Sequence, residues 1–173
     1  MQTFSKIMRL ISLSLLTGGS AAVTFTAIVL VKAAVAHGVS VSEAATANAP
    51  IFLSYSKVAM GAAVILAIAE LIDFSSLKVK TRLDHVRYAS SLLAIACVAV
   101  FTFGIVPPME SLLPDIKTVT EAREQFHHLH ELSRAIFGTS MLFAFVSLLL
   151  PVFKKETSIP ALSKEGKEAV SIN

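Results

Sequence analysis

The chain has 173 residues, 54% of them hydrophobic and only 16% charged, with a mean hydropathy of +0.72. Soluble domains carry about a quarter charged residues, so composition alone excludes an ordinary water-soluble domain. The net charge of +3 does not indicate nucleic acid binding, because most of the lysine and arginine flanks apolar runs, where membrane topology accounts for it.

A hydrocarbon core of about 30 Å takes roughly 20 apolar residues of helix. Four segments meet that length, which predicts an all-α integral membrane four-helix bundle. The first run, residues 10–31, follows Lys6 and Arg9. Its length of about 22 residues exceeds the 7–15 of a signal h-region, so a retained transmembrane helix is expected despite the small residues at Ala34-Val35-Ala36. Gly18 and Ala22 form a small-xxx-small surface on it, suited to close helix approach. A connection over residues 37–49 leads to Pro50 and a second helix over 51–72. Ala59, Ala63 and Ala67 form a smooth ridge there, while Lys57 and Glu70 are expected to snorkel to the two interfaces.

A polar link over residues 73–87 precedes a third helix over 86–106. Pro107-Pro108 should end that helix, since proline lacks the amide donor and clashes with the preceding turn. Cys97, the single cysteine, lies within it and reads as a small buried hydrophobe. An acidic loop with Pro114 follows, and Thr118 or Thr120 is the expected cap of a long helix. That helix starts amphipathic and crosses the membrane over residues 132–150, up to Pro151. Residues 1–155 thus make the four-helix transmembrane domain, and 156–173 a polar tail. Ten of the fifteen basic residues lie at the amino terminus, the 73–87 link and the tail. The positive-inside rule therefore puts both termini on the cytoplasmic (or stromal) side.

Candidate chemistry concentrates before the fourth crossing. At 100° per residue, His127, His130 and Arg134 fall within about 60° of each other, and Phe126, His130, Ser133 and Phe137 form the adjoining stripe. His127 faces Glu131 four residues on, and Glu124 faces His128. His127, His130 and Glu131 are the metal candidates, because imidazoles one turn apart beside a carboxylate can chelate. The competing reading is an amphipathic collar at the interface, with histidine and arginine bridging helix ends. No HExxH, glycine-rich phosphate loop, CxxC or Gly-x-Ser-x-Gly is present, so no catalytic residue is assigned and no cofactor is required.

Ala49-Pro50-Ile51-Phe52 at the start of helix two, Pro107 at the end of helix three, and Phe126-x-x-x-His130-x-Leu132-Ser133 at the start of helix four resemble the transmembrane protein 205-like family. Bacterial members of that family are filed as a domain of unknown function. The resemblance covers about residues 7–153 and implies a four-helix bundle without an established reaction. Within it Pro50, Phe52, Pro107, Phe126, His130, Leu132 and Ser133 are motif residues. His127 and His128 lie outside the motif, and the chain departs from the family pattern in having no tryptophan. The expected role is structural or accessory, by helix packing within or beside a membrane complex. The lipid bilayer, other membrane proteins or a second copy are the expected partners. The alternative is metal or haem binding at the histidine cluster. A small-solute transporter fits worst, for want of broken helices and midplane polar groups.

Overall fold

A backbone in lipid has to satisfy its N–H and C=O groups within the segment, so each apolar run is helical. The computed structural model describes residues 2–76 and 81–153, and among these it contains four helices long and apolar enough to cross a membrane. The first crossing consists of α1 (Gln2–Ser14), a π-helical turn (Leu15–Gly19) and α2 (Ser20–Ala36). A short helix α3 (Val41–Ala47), N-capped by the Ser40 hydroxyl, leads into the second crossing, α4 (Ala49–Ser76). The third is α5 (Arg82–Ala99), a second π turn (Val100–Ile105) and α6 (Val106–Leu112). The fourth is α7 (Thr120–Leu149), closed by one turn of 3-10 helix (Leu150–Phe153). The basic tail beyond residue 153, with Lys78 and Lys80 of the link, lies outside the described residues.

Three expectations about helix ends are corrected. Pro107-Pro108 does not stop the third crossing. The π turn ahead of them shifts the hydrogen-bond register, and the prolines fall in the first turn of α6, where a missing amide donor removes no bond. The 73–87 link shortens because α4 runs past Asp73 and α5 starts at Arg82 behind a Thr81–Asp84 capping box. Neither Thr118 nor Thr120 caps α7. Its N-cap is Val119, with no side-chain bond, and Arg123 ties the preceding loop through Nε to the Ile116 carbonyl at 3.3 Å.

The crossings pack in ring order, the first against the second, the second against the third and the third against the fourth. Inward positions recur at spacings of three and four, the pattern that keeps one seam of a helix on its neighbour. In the third crossing that seam is Asp84, Arg87, Ser91, Ala94, Val98, Phe101 and Ile105, every one buried. On α7 it includes Phe126, Ser133, Ser140, Ala144 and Ser147, also buried. The small members let α5 and α7 run close enough for the Ser140 hydroxyl to donate to the Ala94 carbonyl at 3.2 Å. On α4 the expected alanine ridge is buried at Ala59 and Ala63, joined by Ala62 and Ala69, with Ala67 half-buried.

The first π turn explains why a glycine stands at position 19. A π turn frees a backbone carbonyl, and the Tyr55 hydroxyl of α4 donates to the Leu15 carbonyl at 2.6 Å. A Cβ at Gly19 would stand 2.6 Å from that hydroxyl oxygen. Gly18 faces open space, so it is Gly19 that admits the tyrosine.

Candidate functional site

Polar side chains gather at the two ends of the bundle. At the end where α1 starts and α4 and α7 finish, four charged residues come together inside the protein. Arg87 donates from one terminal nitrogen to Glu70 Oε2 at 2.6 Å and from the other to Asp73 Oδ2 at 2.5 Å. Glu70 and Asp73 stand three apart on α4 and therefore share a face, which the forked guanidinium spans. The Ser91 hydroxyl donates to the other Glu70 oxygen at 2.7 Å and meets the Ser147 hydroxyl of α7 at 2.6 Å. Arg9 of α1 stands 3.6 Å from Asp73, and the Tyr88 hydroxyl donates to the same carboxylate at 3.2 Å. Each crossing thus contributes to one network, with two cations and two anions making it neutral as a set.

This cluster corrects the snorkelling expectation for Glu70, which is 8% exposed and paired; Lys57 is exposed. Arg87 and Asp73, read from the sequence as link residues, are core residues of the bundle. A signal for them exists in the sequence. Arg87 is in phase with Ser91, Ala94 and Val98, and Glu70 and Asp73 are in phase with Ala63 and Leu66.

At the far end α2 packs on α3 and the start of α4, while contact between the first and fourth crossings runs through α1 and the π turn. Between α2 and α7 this leaves a cavity of about 520 Å³. Its walls are apolar, with Ala27, Ile28, Val31, Phe52, Leu53, Phe101 and Met141 among them. Phe137 is the aromatic centre of this region: Phe52, Tyr55 and Phe101 all pack against its ring, at centroid distances of 6.5, 6.0 and 5.3 Å. Lys32, Asn48, His130 and Arg134 also line it.

Of the sequence candidates, Phe126 and Ser133 are buried, while His130 is half-buried with its ring stacked parallel on Phe126 at 6.3 Å. The Ser133 hydroxyl donates to the His130 carbonyl at 2.7 Å. His130, Ser133 and Phe137 share the cavity wall with Phe52. Pro50 lies in the first turn of α4, and Pro107 in that of α6. Leu132, next to Ser133 but turned about 100° from it, is 43% exposed. His127 and Glu131 pair at 3.4 Å on the open surface, with side chains 73% and 63% exposed, and His128 is exposed as well. Among the described residues no three His, Cys, Asp or Glu side chains converge as a metal site would need. Cys97 is half-buried.

A family model described as Domain of unknown function (DUF4149) matches residues 11–118, well over half of the chain. The chain belongs to the DUF4149 family. The match runs from within α1 through the second and third crossings and the loop after them, so it includes Glu70, Asp73, Arg87 and Ser91 of the ionic cluster. No curated protein and no solved structure matches the DUF4149 chain. Four membrane-spanning helices make it a multi-pass integral membrane protein.

Proposed function

We propose that this DUF4149 protein is an accessory membrane protein of structural type, acting by helix packing within or beside a membrane complex, with both termini cytoplasmic. The observation that supports this reading is the outward side of the first crossing. Gly18 and Ala22, one turn apart, both face away from the bundle, and nothing stands within 4 Å of a Cβ built on Gly18. In lipid, helices associate through such small surfaces, where backbones can come close and gain van der Waals contact. The neutral ionic cluster at the end of the bundle where α1 starts ties the four crossings together, so the helix is presented as part of a fixed frame. Kinship with the transmembrane protein 205-like family is part of the same proposal, supported by the Phe126, His130, Leu132 and Ser133 motif.

A photo-crosslinking residue placed at Ala22 tests the reading in intact membranes. A discrete protein adduct, either a second copy or one other membrane protein, is expected; Gly18→Leu should abolish it. If illumination yields lipid adducts alone and the protein migrates as a single chain in native gels, the reading fails. The metal or haem alternative draws on His130 facing an apolar cavity. An absorption spectrum and metal analysis of the purified protein, compared with His127→Ala and His130→Ala, decide it.

A further inference from the structure

We infer that the cavity between α2 and α7 is a binding site for an anionic phospholipid of the surrounding bilayer, with the phosphate at Lys32 and Arg134 and an acyl chain along the apolar wall. This goes beyond the accessory role, since it assigns a ligand that role does not require. The first ground is charge. The lining includes the two cations but no aspartate or glutamate, and among the described residues neither Lys32 nor Arg134 forms a salt bridge. An anion between two cations that line one cavity is attracted to both, and more strongly beside a low-dielectric wall than in open water. The His130 ring and the Asn48 side chain also line the cavity, adding polar groups for a phosphodiester or a glycerol hydroxyl.

Shape is the second ground. From Lys32 to Thr24 along α2 the lining descends eight residues, about 12 Å at 1.5 Å per residue, and from Arg134 to Met141 along α7 about 10 Å. That depth approaches the roughly 15 Å of hydrocarbon in one leaflet, half of a core of about 30 Å. The volume of about 520 Å³ lies within the range of about 300–1,000 Å³ typical of ligand sites. Charge at the mouth and apolar depth below match an anionic head with a chain beneath it, whereas a second helix would leave the two cations unmatched.

Native mass spectrometry of the full chain in detergent, with phosphatidylglycerol or phosphatidylcholine of identical chains, tests the proposal. Phosphatidylglycerol should bind roughly thirtyfold tighter, as two basic residues at an anionic head imply. Lys32→Gln with Arg134→Gln should remove that preference while leaving phosphatidylcholine binding unchanged. Gly138→Leu, which places a side chain where a Cβ meets nothing within 4 Å, should reduce the binding of both lipids. Thermal unfolding without added lipid verifies that each variant is folded. Equal binding of the two lipids by the wild type overturns the proposal. So does an anionic preference that survives the double substitution. Displacement by millimolar inorganic phosphate alone would make this an anion site without a lipid, and a dimer lost on Gly138→Leu would make it a contact between copies; either result also overturns it.

Discussion

Substituting Arg87 with methionine tests the ionic cluster most directly. Methionine keeps much of the side-chain length and its apolar packing, and removes the charge. Arg9, 3.6 Å from Asp73, is then the cluster's one remaining cation to balance Glu70 and Asp73. Both carboxylates have side chains no more than 10% exposed, so water does not replace the lost bonds at 2.6 and 2.5 Å. Removing one partner of a buried ion pair destabilises by about 3–5 kcal/mol, because the remaining charge stays desolvated. At about 1.4 kcal/mol per decade that is roughly two to three and a half powers of ten in the unfolding equilibrium. Neutralising Glu70 as well, R87M with E70Q, leaves the cluster neutral with Arg9 still beside Asp73 and should recover most of the loss. Lys57→Met, at an exposed site, should stay within about 0.5 kcal/mol of wild type. Denaturant titration in mixed micelles, followed by helical circular dichroism, measures all of these. If Arg87→Met unfolds with the wild type, or the double variant is as weak as the single one, the cluster does not hold the helices together.

Three further outcomes follow from the same structure. Gly19→Ala should displace Tyr55 from the Leu15 carbonyl and cost about 1–3 kcal/mol in stability, because that acceptor is left unpaired; Gly18→Ala, in open space, should cost nothing in the same melt. Ala63→Leu, at a position with no exposed surface, should overpack the core it shares with Leu13, Leu16, Ala94 and Ala144 and lower stability by about 1–3 kcal/mol, with an unchanged melting temperature counting against the packing. With Cys97 replaced by serine, a cysteine at Ser163 should react with an impermeant reagent from the cytoplasmic side only, and one at Ser40 from the opposite side only; the reverse pattern would overturn the proposed orientation.

The number of crossings and the all-helical class could be read from the sequence, because lipid leaves a long apolar segment no alternative to the helix. That Phe126, His130, Ser133 and Phe137 share one stripe was also legible, since it follows from the helical repeat alone. So was the burial of Ala59 and Ala63. Helix ends were read less well, because they depend on how freed backbone groups are satisfied. The prolines at 107 and 108 sit within a continuing crossing only because a π turn precedes them, and the π turn at Leu15–Gly19 draws its donor from Tyr55, forty residues away.

The deepest difference concerns the charges. Taken alone, Glu70 near a helix end and Arg87 in a polar link look like groups that reach water, since either side chain is long enough to do so. Their phase on the helices, shared with Ala63 and Leu66 in one case and with Ser91 and Ala94 in the other, turns them inward instead. That phase is written in the sequence, but it becomes a salt bridge only when the end of α4 lies against the start of α5 at matching height. The cavity is a tertiary outcome for the same reason. Lys32 and Arg134 are about a hundred residues apart in the chain, and only the divergence of α2 from α7 makes them two sides of one opening.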